Sequence, residues 1–426
     1  MKLTLKKIRR TILIIILALL SGGMGFWLRG SQSLTNNSLP KISINRTAPA
    51  DKQNLDFSLF WEVWDKLQNS YIEKKDLDQN KMVYGAIAGM TASLGDPYTV
   101  FLPPSDNQAS KEDLNGEFDG VGIQLGYKDG NRMVVVAPLS GMPAEKAGVQ
   151  AGDYILHIKD DAKGIDMDTQ GLSLPEAVKN IRGSKSTNIT LTLLHEGASQ
   201  PYSVELKRDT IIVPSVEVKF GYLDNGSWKL EDNGKSAAKT VAWLKLSRFG
   251  DLTNKQWDQA VDKIINNSRC TGVILDLRNN PGGYLNGAVS LASEFLDEGT
   301  LVVKQENADG SEVNLKTNRP GRLVKTPLFV LVNKGSASAS EILAGALRDW
   351  NRGKIVGENS FGKGTVQEAM DLRGGAGLHV TTAKWLLPKG EWINKTGIAP
   401  DITVAMDEKD PTRDLQLEKG AEILLK

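Results

Sequence analysis

One cysteine, Cys270, occurs in 426 residues. No intrachain disulfide can form, and a cysteine-rich zinc site is excluded. A lone small thiol belongs to packing more often than to chemistry, so Cys270 is expected to be buried and inert. Histidine is nearly as scarce. His157, His195 and His379 stand in no recognisable catalytic motif, so a Ser-His-Asp centre would have to recruit one of three scattered residues. An excess of charge is missing too. The net charge is +1, whereas a nucleic-acid surface needs a concentrated basic field, so no nucleic-acid partner is expected. The length exceeds one ordinary core and implies two or three domains.

What is present begins with a basic cluster. Lys2, Lys6, Lys7, Arg9 and Arg10 precede an uncharged run from Thr11 to Leu28, closed by Arg29. Eighteen residues at helical rise span about 27 Å, close to a bilayer's hydrocarbon thickness. Residues 1–29 therefore read as a cytoplasmic stub and a single-pass anchor in a bacterial cytoplasmic membrane. By the positive-inside rule the rest lies outside, on the periplasmic or cell-wall side. The competing reading is a cleaved signal peptide: Ile12–Leu20 is short enough, but no clean A-x-A site follows and no cysteine is available for lipid attachment. Residues 30–52, rich in Ser, Asn, Pro and Thr, read as a flexible tether.

Residues 53–114 form a helical module. Phe57, Phe60, Trp61, Trp64, Leu67 and Tyr71 recur at helical spacing, and Met82, Ala86, Ile87, Met90 and Leu94 make a second apolar face. Helix–helix packing is the expected use of the aromatic stripe; self-association into a homo-oligomer through the same face is the other. Gly95, Pro97, Pro103 and Pro104 end the module. From 115 to 208 the pattern changes to short strands. Gly120-Val121-Gly122-Ile123-Gln124-Leu125 opens it, followed by Pro143-Ala144-Glu145-Lys146-Ala147-Gly148-Val149 and the turn Gly152-Asp153 into Tyr154–Ile158. This stretch resembles a PDZ domain. Successive N–H groups in a glycine-rich loop cradle a carboxylate, and an exposed strand edge accepts an extended peptide. Gly120, Val121, Gly122, Ile123 and Gln124 are thus candidates for binding a polypeptide C-terminus.

Residues 209–404 alternate strand and helix: strands at Thr240–Leu246, Gly272–Leu277, Leu328–Val332 and Lys354–Val356, helices at Asn254–Ile265, Leu285–Leu296 and Ser340–Trp350. The order implies an α/β core with helices against a sheet, and the chain becomes β-rich again after Thr365. Residues 405–426 contain one amphipathic helix that docks on the core or on a second subunit. In open α/β folds reactive groups gather at the carboxyl ends of strands. Three loops occupy that position: Arg278–Gly283, Asn333–Glu341 and Gly357–Gly364. Serines in the second loop start a helix, where free N–H groups stabilise developing negative charge. Ser338 and Glu341 also make a capping-box pattern, and the residues alone do not choose among Ser336, Ser338 and Ser340. Gly357-x-x-x-x-Gly362-Lys363 looks like the start of a P-loop but has Gly364 where Ser or Thr is required.

Asp276-Leu277-Arg278-Asn279-Asn280-Pro281-Gly282-Gly283, Gly335-Ser336-Ala337-Ser338-Ala339-Ser340-Glu341 and Phe361-Gly362-Lys363-Gly364-Thr365-Val366-Gln367, in that order beside a PDZ module, resemble the C-terminal processing (tail-specific) serine peptidase family. The resemblance implies a crotonase-like α/β core, Ser338 as nucleophile, Lys363 as general base and Gln367 as the residue orienting the lysine. It also implies oxyanion donors from the backbone of Ala339 and of Gly282 or Gly283. Arg182 matches a position where a basic residue is common and would contact the core. Protein substrates with exposed C-terminal tails are the expected partners, with no metal or cofactor. The alternative is a catalytically silent PDZ scaffold that binds polypeptide tails.

Overall fold

The computed structural model describes residues 55–128, 132–139, 141–231, 237–405, 410 and 413–425. The expected anchor and tether lie outside the described residues. Among the described residues no helix is long and apolar enough to cross a membrane.

The first module holds α1 (Ser58–Ser70), α2 (Gln79–Ala92), β1 (Val100–Leu102) and α3 (Pro104–Asn115). Asp78 starts α2 by accepting from the N–H groups of Asn80 (2.8 Å) and Lys81 (3.2 Å), which removes two of the helix's orphan donors. The aromatic stripe of α1 is covered only in part. Trp64 is buried, whereas Phe57, Leu67 and Tyr71 are exposed, and Phe60, Trp61 and Trp64 pack mainly on one another.

The PDZ-like module comprises β2 (Glu117–Gly120), β3 (Ile123–Lys128), β4 (Arg132–Pro138), α4 (Pro143–Lys146), β5 (Tyr154–Asp160), β6 (Ile165–Asp168), α5 (Leu174–Ile181), β7 (Asn188–Leu194), β8 (Tyr202–Lys207) and β9 (Asp209–Ile212). Its sheet runs β3-β4-β5-β7-β8 with β6 on β5, over a core that includes Val121, Ile155, Ile158, Ala177 and Leu191. Strands β2 and β9 pair only with each other, so the chain enters and leaves this module through one two-stranded neck.

The last part contains β10 (Val216–Asp224), β11 (Ser227–Leu230), β12 (Thr240–Leu246), α6 (Thr253–Asn266), β13 (Cys270–Asp276), α7 (Leu285–Ala292), β14 (Leu301–Asn307), β15 (Glu312–Lys316), β16 (Leu328–Val332), α8 (Ala339–Asp349), β17 (Lys354–Gly357), β18 (Thr365–Asp371), β19 (Gly377–Leu386), β20 (Ile402–Thr403) and α9 (Leu415–Leu425). A seven-stranded sheet runs β11-β10-β12-β13-β16-β17-β20, parallel from β12 to β20. Alternate residues face opposite sides. Val273, Leu275, Val330 and Val332 join the core under α6, α7 and α8, while Ile274, Phe329 and Leu331 face Leu417 and Ala421 of α9. Both faces are covered, as a parallel sheet requires.

Two features differ from the sequence reading, and a third resolves what it left open. The helix expected over Leu285–Leu296 ends at Ala292, where the buried Glu294 turns its carboxylate to Arg322 and Arg319. The helical module is not separate, because β1 pairs with β19 of the five-stranded second sheet, Val100 opposite His379 and Phe101 opposite Leu378. Helix α9, left open between core and second subunit, lies on the core. It is latched there by Arg278, whose guanidinium grips Asp276 (2.7 Å) and Asp414 (2.7 and 2.8 Å). Cys270 is partly buried, and burial pushes its thiol up, away from reactivity.

Leu417→Ala should lower unfolding stability by about 2–4 kcal/mol by leaving a cavity on the sheet's outer face. Denaturant melts of the two proteins measure it.

Candidate active site

Strands β13, β16 and β17 are neighbours in the sheet, and the three glycine- and serine-bearing loops all leave from their carboxyl ends. They meet at a cleft of about 540 Å³. Its lining includes Gly282, Gly283, Ser338, Lys363, Gln367 and His379. A larger concavity of about 790 Å³ lies at the opposite ends of the strands. There Arg348 is paired with Asp349 and Glu391.

Geometry separates the three serines. The Ser336 hydroxyl donates to Leu277 O (2.8 Å). The Ser340 hydroxyl donates to Ala337 O (2.8 Å) and Asn280 O (3.0 Å). Both residues are fully buried, so their protons are committed to the fold. Ser338 alone of the three lines the cleft. It precedes α8 at φ 57°, ψ −118°, a conformation that costs a non-glycine residue of the order of 1–3 kcal/mol.

Asn280 fastens the first loop to the second. Its side chain donates to Leu246 O (2.9 Å) and accepts from Gly282 N (2.9 Å), while its carbonyl accepts from Ala337 N (2.9 Å). The Gly282 N–H is therefore occupied. Among the described residues, the N–H groups of Gly283 and Ala339 have no such partner. A Cβ on Gly282 would fall 2.8 Å from Ser338 Cβ and 3.0 Å from Ala339 N, so glycine keeps the space beside Ser338 open.

Glu341 joins the second loop to the third. Its carboxylate is wholly buried. It accepts from the N–H of Ser338 (2.7 Å), the hydroxyl of Ser360 (2.6 Å) and the N–H groups of Gly362 (2.7 Å) and Lys363 (3.0 Å). One side chain thus sets the distance between the serine and lysine backbones. Burial pushes the Lys363 amine below the usual lysine range, against the opposing pull of the Asp96 and Glu341 carboxylates. Gln367 follows a register shift in β18, which re-aims a side chain. Its amide nitrogen donates to Thr365 Oγ1 (2.9 Å) and Thr381 Oγ1 (3.0 Å), leaving its carbonyl oxygen as an acceptor. Among the described residues Lys363 is hydrogen-bonded through its side chain to neither Ser338 nor Gln367.

The sequence reading missed one wall of the cleft. Pro97, Tyr98 and Val100 of the first module line it. Asp96 accepts from Tyr98 N (3.1 Å) and Thr99 Oγ1 (2.7 Å). The signal available was a carboxylate followed by Pro-Tyr-Thr, read there only as a helix stop. His379 also lies in the cleft; burial and the Lys363 charge push its imidazole down.

The PDZ residues sit together but away from these loops. Gly120 ends β2, Val121 is buried, and Gly122 turns at φ 74° with no room for a Cβ beside Met142. Ile123 and Gln124 begin the edge strand β3. The carbonyls of Val121 and Gly122 are taken by Ala144 and Leu139, whereas their N–H groups have no partner among the described residues. Arg182 does not reach the three loops of the cleft. Its guanidinium stacks on Phe118 (3.9 Å) and meets Glu112 of α3 (3.4 Å), because α5 ends beside the neck.

Two expectations follow. Ser338→Gly should relieve the strained backbone, offset by about 0.5–1 kcal/mol of extra chain entropy; the melting temperature should be unchanged or higher. Glu341→Gln should lower stability by about 3 kcal/mol, since an amide turns a donor toward N–H groups and loses charge-assisted bonds; calorimetry measures the loss.

Comparison with known proteins agrees with this architecture. The model of peptidase family S41 matches residues 240–404, that of a PDZ domain 108–194, and that of the activating protease CtpB N-terminal domain 19–105. The chain is 32% identical to the carboxy-terminal processing protease CtpA of Bacillus subtilis, over 95% of this chain and 78% of that one. It is 36% identical to a probable CtpA-like serine protease of Staphylococcus aureus over 85% and 67% of the two chains. A putative S41 protease of Bacteroides fragilis superposes with a TM-score of 0.52 at 16% identity, covering 90% of this chain and 99% of that one. Together with the ordered loops around Ser338, these likenesses place the chain in peptidase family S41, among the carboxy-terminal processing serine proteases that carry a PDZ domain.

Proposed function

We propose that Ser338 is the nucleophile and Lys363 the general base of an endopeptidase that recognises protein C-termini through its PDZ domain and cleaves near them. The carrying observation is that Ser338, alone of the three serines in its loop, opens onto a cleft that also holds a lysine depressed by burial. A neutral amine accepts the hydroxyl proton as Ser338 attacks the scissile carbonyl, and an acyl-enzyme forms. As the peptide bond breaks, the resulting ammonium gives that proton to the leaving amine, and the lysine amine, neutral again, takes a proton from the water that releases the acyl product. Gln367 holds the amine through its carbonyl oxygen once Lys363 turns toward Ser338. The free N–H groups of Ala339 and Gly283 receive the oxyanion; Gly282, whose N–H is bound to Asn280, serves by leaving room.

Tail recognition rests on the unpartnered N–H groups of Val121 and Gly122 beside the edge strand β3, with Gly120, Ile123 and Gln124 completing the cradle. Arg182, bound to Glu112 and Phe118, ties the end of α5 to the neck and is the regulatory contact between the PDZ module and the rest. The exposed apolar residues of α1 support self-association through that face. The basic cluster and uncharged run at residues 2–28 support a single-pass anchor in the bacterial cytoplasmic membrane with the protease outside.

Lys363→Ala should reduce kcat/KM on an unfolded protein substrate by about 10²–10⁴-fold with the fold intact. Because the base form is the neutral amine, wild-type activity should rise with pH. Its acid limb should lie below the ordinary lysine value, as the burial-depressed amine requires. Cleavage by Lys363→Ala at the wild-type rate would overturn the base assignment. Equal cleavage by Ser338→Ala would overturn the nucleophile.

A further inference from the structure

The Lys363 amine has a definite place in this structure, and it is not hydrogen-bonded to Ser338. Nζ lies 4.9 Å from the centre of the Tyr98 ring, within the roughly 6 Å over which an aromatic face attracts a cation. We propose that the Tyr98 ring is the resting seat of the Lys363 ammonium, so that the N-terminal module, through one loop, holds the general base in reserve. This rests on the reading of Lys363 as the base.

The ring attracts the protonated amine and not the neutral one, because its face carries the negative end of a quadrupole. It therefore favours the form that cannot accept a proton. In this seat Lys363 shares no side-chain hydrogen bond with Ser338 or Gln367, the groups it serves. The seat itself is fixed. Asp96 accepts from Tyr98 N and Thr99 Oγ1. The Thr99 hydroxyl in turn accepts from Thr381 N (3.1 Å), and β1 pairs with β19 just beyond. Burial works against the Asp96 carboxylate, yet bonds from Thr381, Thr99 and the Tyr98 backbone keep it ionised and below its ordinary range. Tyr98 is thus held in place, and the exchange between seat and nucleophile falls to the flexible lysine stem.

Other charges face the amine as well. Asp96 from the same loop and Glu341 from α8 favour its protonated form, and His379 from β19 lies close enough to feel its charge. Arg248 and Asp113, farther along the cleft, are paired with each other (2.7 Å). None of these groups changes when the ring at position 98 is altered, so a ring substitution isolates the contribution of the seat.

The test uses the full-length protein. Tyr98→Leu removes the aromatic face but keeps an apolar wall. Tyr98→Phe keeps the face, and Phe variants bearing increasing ring fluorination weaken its electrostatics at nearly constant shape. The acid limb of kcat/KM should move down by about 0.4–1.5 pH units in Tyr98→Leu. It should stay at the wild-type position in Tyr98→Phe and fall stepwise with fluorination. The same series in a Ser338→Ala background, with acylation of Lys363 followed by mass spectrometry across pH, reads the amine without turnover. An unmoved or raised midpoint in the Leu and fluorinated variants would overturn the seat and leave Tyr98 a simple wall. Wild-type cleavage by Lys363→Ala would instead sink the base assignment itself, so the two failures are told apart.

Discussion

A buried carboxylate with four donors is the constraint on which this site depends. Glu341 has no contact with solvent, and leaving such a group short of partners costs several kcal/mol. Its donors come from the turn that carries Ser338 and from the loop that carries Lys363. Neither loop can shift without withdrawing an N–H from that carboxylate. Two segments that leave different strands of one sheet are thereby locked to a common point, and the reactive side chains inherit their spacing from main chain rather than from contact with each other.

The same economy governs the other side of the cleft. Asn280 spends its amide on Leu246 and Gly282 and its carbonyl on the turn that carries Ser338. The glycine loop is thus held in place, with the Gly282 N–H bound to Asn280 and the Gly283 N–H without such a partner among the described residues. Hydroxyls at Ser336 and Ser340 perform the same structural service, and this is why Ser338 stands apart.

Much of the fold was legible in sequence because it follows from periodicity. The runs Gly272–Leu277 and Leu328–Val332 read as buried strands and form the centre of the sheet. The three loops were placed at strand ends by order alone. The motif resemblance singled out Ser338, and of the three serines it is the one that lines the cleft, the hydroxyls of Ser336 and Ser340 being bonded to main chain. What stayed hidden is non-local. The pairing of Val100 with His379 spans most of the chain, and no local pattern announces it. The placement of Tyr98 against Lys363 follows from that pairing. Likewise the bond from Asn280 that occupies the Gly282 N–H joins a side chain to a backbone in a way no spacing announces. The stripe on α1 shows the reverse error: its period was right, but period does not say what covers a face.

The two-stranded neck formed by β2 and β9 has a mechanical meaning. Paired strands resist being pulled apart in the plane of their hydrogen bonds but twist and flex readily across it. A domain borne on such a ribbon has a preferred direction of swing, set by the ribbon rather than by the load it carries. The neck also brings the two crossing points side by side, so the carried domain behaves as a cassette. Its exchange for another of different taste, over evolutionary time or by design, would leave both sheets of the catalytic body uncut.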